Sequence, residues 1–311
     1  MKKVLVVDDV HECLFPILQQ VGLEILYQPD ATRDSVKELL AEIQGLVIRS
    51  KFPIDQDFFA HAKKLQFIAR AGAGLDLIDL EAAQKHQVKV FAANEGNKDA
   101  LAEHVIGQLL MLSAKLKQAD QEVRAGIWNR EGNRGWELEG KTIGIIGYGN
   151  MGKALAKRLS AFGMKILAYD KYHPSQEFPA SLQDIFQLAD MVSLHIPLTH
   201  ESKNMVNPDF LNQFKKSIVL INSARGEILT LETMLYGLRK GILSGLIADV
   251  LPNEKLSTWS EQESVLFDQI KEFPNTLFSP HVAGWTTESY QKISEVLASK
   301  ISDFIVNELS E

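Results

Sequence analysis

Three side chains with complementary chemistry stand in the second half of the chain, each shortly after a short apolar segment: Arg225, Glu254 and His281. A guanidinium binds a planar carboxylate through two hydrogen bonds. An imidazole accepts and returns a proton near neutral pH, and a neighbouring carboxylate fixes its tautomer and favours its charged form. Oxidation of a small hydroxy acid needs these three kinds of group, together with an acceptor for the hydride that leaves the carbon.

A glycine-rich segment upstream is typical of a site for such an acceptor. From Thr142 the chain reads TIGIIGYGNMG, with glycines at 147, 149 and 152, after an apolar run and before the helix-forming segment Lys153–Ala161. In a dinucleotide-binding unit Gly147 permits the tight turn, Gly149 lets the backbone approach the pyrophosphate, and Gly152 lets helix and strand pack closely. The N–H groups at the start of the helix favour the phosphates. A glycine turn without a ligand is the alternative interpretation.

The residue that ends the next predicted strand, Asp170, indicates which dinucleotide is bound. Its carboxylate can accept hydrogen bonds from the adenosine ribose hydroxyls, and its charge would repel a 2′-phosphate. NAD is therefore predicted over NADP, although Lys171 stands beside Asp170 and weakens that inference.

Short apolar runs alternate with helix-like segments along the whole chain, which predicts parallel sheets joined by helical crossovers. We expect one helix from Asn97 to Arg124, a helix over Arg33–Ile43, and a last helix over Thr287–Asn307, which the pattern alone does not place on either half. The predicted strands are Val4–Val7, Glu24–Tyr27, Gly45–Ile48, Leu65–Ala69, Val88–Phe91, Thr142–Gly147, Lys165–Tyr169, Met191–His195, Ile218–Asn222, Leu246–Asp249 and Thr276–Phe278.

Over nearly its whole length the chain resembles the D-isomer-specific 2-hydroxyacid dehydrogenases, the family that includes D-3-phosphoglycerate dehydrogenases. The resemblance implies an α/β fold with two doubly wound parallel-sheet domains. A Rossmann cofactor domain, residues 96–284, would be inserted in a flavodoxin-like substrate domain, residues 1–95 plus 285–311. Besides the glycine motif, the matching stretches are Ile48–Ser50, Arg70–Asp76, Ala102–His104, His195–Thr199, Ser223–Gly226, Asp249 with Glu254, and Pro280-His281.

The resemblance also implies residue roles: Arg225 binds the substrate carboxylate, His281 is the acid and base, and Glu254 is its partner. In one respect the chain departs from the family, because Lys255 stands where a proline usually follows the glutamate. This puts the geometry of the Glu254 loop in doubt. The residues expected to line the NAD site are Gly147, Gly149, Asn150, Met151, Gly152, Asp170, His195, Pro197, Thr199, Ser223, Ala224, Arg225, Asp249, His281, Ala283 and Gly284.

Cations and a second glycine turn suggest what the substrate carries. The N–H groups of Ala73 and Gly74 could hold its carboxylate. The cations Arg49, Lys51, Arg130 and Arg134 favour a phosphorylated acid, although each is also typical of a solvated surface. We therefore expect 3-phosphoglycerate and 3-phosphohydroxypyruvate, a reaction of serine biosynthesis. The residues expected to bind substrate are Arg49, Lys51, Ala73, Gly74, Arg225 and His281. The alternative is a glyoxylate, hydroxypyruvate or general 2-keto acid reductase.

Composition narrows the remaining possibilities. The chain has 33 Lys and Arg against 40 Asp and Glu, a net charge of −7, which lacks the basic footprint of a nucleic-acid binder. One cysteine, Cys13, excludes an intramolecular disulfide. With no signal peptide, membrane span or metal-ligand spacing in the sequence, we expect a cytoplasmic, metal-free protein. The resemblance adds a homodimer formed through the cofactor domain. A non-enzymatic NAD-sensing protein like the C-terminal-binding-protein corepressors is the alternative from another class.

Overall fold

The computed structural model describes residues 2–308, and the chain divides into two compact units. Unit 1 comprises Met1–Lys98 and Trp285–Glu311, and unit 2 comprises Asp99–Gly284. Each has a parallel sheet covered by helices, which is the predicted fold class. Across residues 2–308, no helix has both the length and the apolar character that a membrane span requires.

Unit 1 has a five-stranded parallel sheet in the order β2-β1-β3-β4-β5. Alternate residues point to opposite faces, and both faces are buried, so that Leu5, Leu46 and Ile68 pack into one core while Val4, Val47 and Phe67 pack into the other. The elements are β1 (Lys2–Val6), α1 (Leu14–Gln20), β2 (Leu23–Tyr27), α2 (Lys37–Leu40), β3 (Gly45–Ile48), α3 (Gln56–His61), β4 (Phe67–Arg70), α4 (Leu80–Lys85) and β5 (Lys89–Ala92).

Unit 2 has a six-stranded parallel sheet in the order β11-β10-β9-β8-β6-β7, and an isolated parallel bridge between Ala168 and Pro179 extends it beyond β7. The elements are α5 (Lys98–Ser113), α6 (Leu116–Arg124), β6 (Thr142–Ile146), α7 (Asn150–Ser160), β7 (Lys165–Tyr169), α8 (Leu182–Leu188), β8 (Met191–Leu194), α9 (Pro208–Leu211), β9 (Ile218–Asn222), α10 (Leu231–Arg239), β10 (Leu243–Ala248), α11 (Glu261–Lys271) and β11 (Thr276–Phe278).

The last helix, α12 (Thr287–Glu308), packs in unit 1, which the sequence pattern could not decide. Its apolar face enters the core beside β4 and β5 through Ile293, Leu297, Ala298, Ile301 and Ile305. A Cβ on Gly96 would lie 2.6 Å from the backbone nitrogen of Ile293, so a glycine is required at this approach. The Lys300 ammonium donates to the Glu95 carboxylate at 2.8 Å and to the carbonyl oxygen of Ala92 at 2.7 Å.

The prediction of one helix from Asn97 to Arg124 is wrong, because the chain breaks between α5 and α6. Lys115 adopts the left-handed conformation with a φ of 52°. The following loop returns to this break: the Trp136 N–H donates to the carbonyl oxygen of Ser113, and a Cβ on Gly135 would lie 2.4 Å from that oxygen. The helix predicted over Arg33–Ile43 is likewise shorter, and covers Lys37–Leu40.

Candidate active site

The polar residues singled out in unit 2 lie after strand ends on one edge of its sheet. All six strands are parallel, so their carboxyl ends lie on the same side. The glycine turn follows β6, and Asp170 follows β7. Along the other half of the sheet, His195 follows β8, Arg225 follows β9, Asp249 and Glu254 follow β10, and His281 follows β11. Successive strands are added on one side of β6 with β7 and on its other side from β8 onward. Open α/β sheets bind ligands at such a switch in strand order, which here lies between β6 and β8.

The three glycines of the turn have three different surroundings. Gly147 has a φ of 96°, and a Cβ there would lie 2.4 Å from the carbonyl oxygen of His195. A Cβ on Gly152 would lie 2.2 Å from the carbonyl oxygen of Gly147, so this glycine permits the close packing of α7 on β6. Gly149 caps α7, is exposed, and has open space where a Cβ would stand. The first turn of α7, which contains Asn150 and Met151, is therefore approachable along its backbone.

Asp170 is held by backbone groups as an anion. Its carboxylate accepts hydrogen bonds from the N–H groups of Tyr148 at 2.8 Å, His173 at 2.9 Å and Tyr172 at 3.0 Å. Burial alone would raise the pKa of Asp170, but these hydrogen bonds outweigh it and lower the pKa below its ordinary value. Lys171 forms an ion pair with Glu201, so the charge that weakened the case for NAD is matched by a carboxylate.

The residues around this turn fit a dinucleotide. The Gly149 backbone is open, and the N–H groups at the start of α7 suit a pyrophosphate. The hydroxyl of Ser223, at the end of β9, is buried and has no hydrogen-bond partner among the described residues. A buried polar group without a partner costs free energy, so this hydroxyl is suited to a bound ligand. Ala224, next to it, is also buried.

Glu254 and His281 form a close pair, with 2.9 Å between Glu254 Oε1 and His281 Nδ1. Both side chains are about half exposed, at 46% and 48%. When Nδ1 carries the proton and donates it to the carboxylate, Nε2 is left as the basic nitrogen. His281 itself has a φ of 55°, a conformation that costs a residue other than glycine about 1–3 kcal/mol.

The loop that carries Glu254 is ordered without the proline that the family usually has. The Asn253 side chain accepts the N–H of Lys255 at 3.0 Å, and the Asn253 carbonyl oxygen accepts the Trp259 indole N–H at 2.8 Å. These hydrogen bonds of Asn253 fix the geometry that the missing proline had put in doubt.

Arg225 lies beside that loop. The Asn222 side chain braces its turn by accepting the Ala224 N–H at 3.1 Å and donating to the Arg225 carbonyl oxygen at 2.9 Å. The guanidinium donates to the carbonyl oxygen of Ala224 at 2.6 Å. A Cβ on Gly226 would lie 1.9 Å from the carbonyl oxygen of Leu251, so the two loops pack backbone against backbone.

His195 is held neutral near the glycine turn. Its Nε2 lies 2.8 Å from the hydroxyl of buried Ser193, and burial lowers the pKa of His195 to about 4. The segment after it is closed by Ser202, whose hydroxyl donates to the carbonyl oxygen of Pro197 and accepts the N–H of Thr199, each at 2.7 Å.

Asp249 organises the loop around His281. Its buried carboxylate accepts the N–H groups of Val282 at 3.0 Å and Ala283 at 2.8 Å. It also accepts the hydroxyl proton of Ser279 at 2.5 Å. Ser279 was not singled out from the sequence, because a serine beside a proline carries no signal of its own.

In unit 1, the substrate candidates behave differently from one another. The Arg49 guanidinium lies 3.6 Å from the ring centre of Trp285, and burial lowers its pKa. The Lys51 ammonium donates a hydrogen bond to the carbonyl oxygen of Pro29, so this cation already has a partner within unit 1. One carboxylate oxygen of Asp8 accepts the N–H groups of Arg49, Ser50 and Lys51 and so fixes the backbone of this turn.

The glycine turn of unit 1, at residues 71–74, lies around the guanidinium of Arg70, which was not singled out from the sequence. Gly72, just before Ala73 and Gly74, has a φ of 149°, and a Cβ there would lie 1.7 Å from the Nη1 atom of Arg70. The Arg70 guanidinium thus fills the space that a side chain at residue 72 would need. The only signal in the sequence was that Arg70 begins one of the family motifs.

Two expectations from the sequence remain: the absence of a metal site, and the two arginines of the loop after α6. Among residues 2–308, no group of three or more His, Cys, Asp or Glu side chains has the arrangement of a metal site. Arg134 pairs with Glu131 at 2.6 Å, and Arg130 is exposed in the same loop.

Comparison with known proteins identifies the chain's relatives. Residues 106–283 match the model of the D-isomer-specific 2-hydroxyacid dehydrogenase NAD-binding domain. D-3-phosphoglycerate dehydrogenase of Rattus norvegicus is 32% identical over 98% of this chain, but the chain spans only 57% of that protein's length. Hydroxypyruvate reductase of Thermotoga maritima is 31% identical over 86% of this chain and 87% of its own.

A solved structure agrees with these matches. The NAD⁺-bound 3-phosphoglycerate dehydrogenase of Entamoeba histolytica superposes with a TM-score of 0.79 at 27% identity, over 99% of this chain and 96% of that one. The family model covers more than half of the residues, and its NAD-binding domain lies within unit 2, where the glycine turn and Asp170 stand. The chain therefore belongs to the D-isomer-specific 2-hydroxyacid dehydrogenase family.

Proposed function

We propose that this protein is an NAD-dependent oxidoreductase that interconverts a D-2-hydroxy acid and its 2-keto acid. The observation that carries the proposal is the contact of 2.9 Å between Glu254 and His281, beside the loop of Arg225 and on the same sheet edge as the glycine turn. In this proposal unit 2 is the cofactor domain, and unit 1 is the substrate domain.

The proposed roles rest on the chemistry of each side chain. Arg225 binds the substrate carboxylate and so orients carbon 2. His281 accepts the hydroxyl proton at Nε2 during oxidation and returns it to the keto oxygen during reduction. Glu254 holds the Nδ1 proton and stabilises the imidazolium that forms. NAD, when bound, supplies the acceptor and donor of hydride.

The first substrate that we propose is 3-phosphoglycerate with 3-phosphohydroxypyruvate. Support comes from the D-3-phosphoglycerate dehydrogenases among the relatives and from Arg49, which is fixed by stacking on Trp285 and is suited to a phosphate. A hydroxypyruvate or glyoxylate reductase is the second candidate. The engagement of Lys51 with Pro29 favours it, because that removes one of the cations that a phosphate would require, and the Thermotoga relative is a hydroxypyruvate reductase.

A panel of 2-keto acids tests both proposals. Oxidation of NADH is followed by loss of its absorbance with 3-phosphohydroxypyruvate, hydroxypyruvate, glyoxylate and pyruvate, on the wild type and on Arg49→Gln. We expect the phosphorylated acid to have the highest kcat/KM and to lose most from the substitution. Equal values with and without phosphate would reject phosphate recognition and support the second candidate. Absence of turnover with every acid would support the non-enzymatic sensor.

We further propose a homodimer formed through unit 2. Exposed apolar side chains are concentrated on α5, α6 and the loop after them, namely Met111, Leu116, Val123, Ile127, Trp128 and Trp136. Trp128 is 85% exposed, which is costly for an indole that faces water. Sedimentation of the wild type and of Trp128→Glu tests this: a dimer that dissociates in the variant is expected, and a wild-type monomer would reject the proposal.

A further inference from the structure

The Ser279 hydroxyl has three polar neighbours within unit 2. Its Oγ atom lies 2.5 Å from Asp249 Oδ1, 3.0 Å from Gln108 Nε2 and 3.0 Å from His104 Nε2. Gln108 and buried Asp249 lie almost entirely out of solvent. His104 and Gln108 lie four residues apart, on one face of α5, so a single serine links that helix to the end of β10. We call Ser279, Asp249, His104 and Gln108 the Ser279 network.

Counting protons determines how the Ser279 network is arranged. A serine hydroxyl has one proton to donate and two lone pairs to accept with. An ionised carboxylate only accepts, so Asp249 takes the single proton of Ser279, in agreement with the short distance. Gln108 donates with its amide nitrogen. His104 must then also donate, which requires a proton on its Nε2.

The Ser279 network holds the backbone around His281. The carboxylate of Asp249 binds the N–H groups of Val282 and Ala283, and its carbonyl oxygen accepts the N–H of His281 at 2.7 Å. These are the hydrogen bonds that offset the left-handed conformation of His281, whose φ is 55°. Loss of the Ser279 hydroxyl would remove one donor from the Asp249 carboxylate and would leave the donors of buried Gln108 and part-buried His104 without their acceptor.

We propose that Ser279 and His104 are positioning residues for His281, with His104 acting as an obligatory Nε2–H donor. Neither side chain is assigned contact with substrate or cofactor. They act by keeping the Asp249 carboxylate in place. Asp249 in turn holds the backbone of residues 281–283, and so fixes the direction of the His281 imidazole. The proposal rests on the proposed function for its kinetic consequence, but the arrangement of protons and the rigidity of the turn can be measured without any turnover.

Paired substitutions test the kinetic part. Ser279→Ala removes the hydroxyl and Ser279→Thr keeps it. His104→Leu removes the donor, and His104→Gln places an amide nitrogen near the position of Nε2. We expect Ala and Leu each to lower kcat by about 10- to 100-fold, as small misplacements of a catalytic group do, with less change in KM. Thr and Gln should recover most of the activity. Because both residues act through one network, the loss in Ser279→Ala/His104→Leu should be smaller than the product of the single losses.

Two spectroscopic measurements keep the proposal testable without an assay. The ring nitrogens of His104 should show a proton on Nε2 by nitrogen NMR, and amide hydrogen exchange at residues 281–283 should speed up in Ser279→Ala but not in Ser279→Thr. A wild type with no turnover but with these two signatures would count against the proposed function while supporting the network. Wild-type kcat and unchanged exchange in Ser279→Ala, or a proton on Nδ1 of His104 alone, would overturn the proposal.

Discussion

The glycine turns of the two units come after parallel strands on similar sheets, yet the missing side chains serve different purposes. At Gly147 the space is occupied by a backbone carbonyl, that of His195, and the chain then enters α7 directly. At Gly72 the space is occupied by the guanidinium of Arg70, and α4 begins only at Leu80. The first turn thus presents backbone N–H groups, whereas the second is shaped around a cationic side chain.

The difference shows that a glycine motif has to be interpreted together with the next element of the chain. A helix that begins at the turn supplies several N–H groups and a partial positive charge to an anion. The turn of unit 1 has no such helix directly after it, and the guanidinium of Arg70 lies against it instead. A substitution at Gly147 would therefore disturb the path of the backbone, whereas one at Gly72 would first displace a side chain.

The largest expected effect comes from removing the proposed proton acceptor of unit 2, His281. His281→Ala should lower kcat by about 10²–10⁴-fold because the proton acceptor is lost, while the Kd for NADH stays close to that of the wild type. Steady-state kinetics and fluorescence titration measure the two quantities. His61→Ala, which removes an exposed histidine of α3 in unit 1, is the matched control and should keep full activity. A near-normal rate for His281→Ala would remove this residue from the acid and base role.

The next largest effect separates two glycines of one turn. Gly147→Ala should lower the free energy of unfolding by about 3 kcal/mol, because its φ is 96° and a Cβ would meet the His195 carbonyl. Gly149→Ala should cost much less, because its Cβ enters open space and only the preference of the α7 N-cap for glycine over alanine is lost, yet it should weaken NADH binding. Calorimetry and titration of both variants distinguish these effects. Unchanged NADH affinity in Gly149→Ala would mean that the pyrophosphate does not approach this backbone.

The pH dependence of stability should contain a contribution from His195, which follows β8 in unit 2. The pKa of His195 is lowered from 6.5 to about 4 in the folded protein, so between these pH values the unfolded chain binds the proton and the folded chain does not. Stability should therefore fall as the pH drops from about 6.5 to 4, by at most about 1.4 kcal/mol per pH unit from this group. His195→Gln should flatten that dependence in urea titrations at several pH values. An equally steep dependence in the variant would assign the acid sensitivity to other groups.

The smallest expected effect lies in unit 1. Gly72→Ala should displace the Arg70 guanidinium and shift the turn that carries Ala73 and Gly74, whose N–H groups are the candidate donors to the substrate carboxylate. We therefore expect KM for the keto acid to rise several-fold, corresponding to about 1 kcal/mol, with NADH binding unchanged. The comparison of the two turns would fail if this substitution weakened NADH binding instead.

Much of the fold could be predicted from the sequence because its strands are buried on both faces. All eleven predicted strands are present, and four have the predicted bounds, namely Gly45–Ile48, Lys165–Tyr169, Ile218–Asn222 and Thr276–Phe278. The break at Lys115 could not be predicted, because nothing in a lysine favours the left-handed conformation. The return of the loop at Gly135 stabilises that break, and such a contact is tertiary.

The candidate site, like the fold, has features that the sequence predicts and others that depend on tertiary contacts. Placing Arg225, Glu254 and His281 after successive strands needed only the alternating pattern and the family motifs, whereas their roles remain predictions. The bracing of the Glu254 loop by Asn253 was not foreseen, since the sequence showed only that a proline was missing. Ser279 and Gln108 escaped notice because serine and glutamine become informative only when their partners are known.

The hydrogen bonds from α5 to Ser279 have a consequence for how this protein is constructed. They join residues 175 and 171 positions apart, one set near the beginning of unit 2 and the other near its end. A domain whose entry and exit are fastened side by side interrupts a host chain with little loss of loop-closure entropy. The first helix and the last strand of unit 2 are therefore held together by contacts within unit 2 itself, and we expect these contacts to persist if new termini are placed in one of its surface loops.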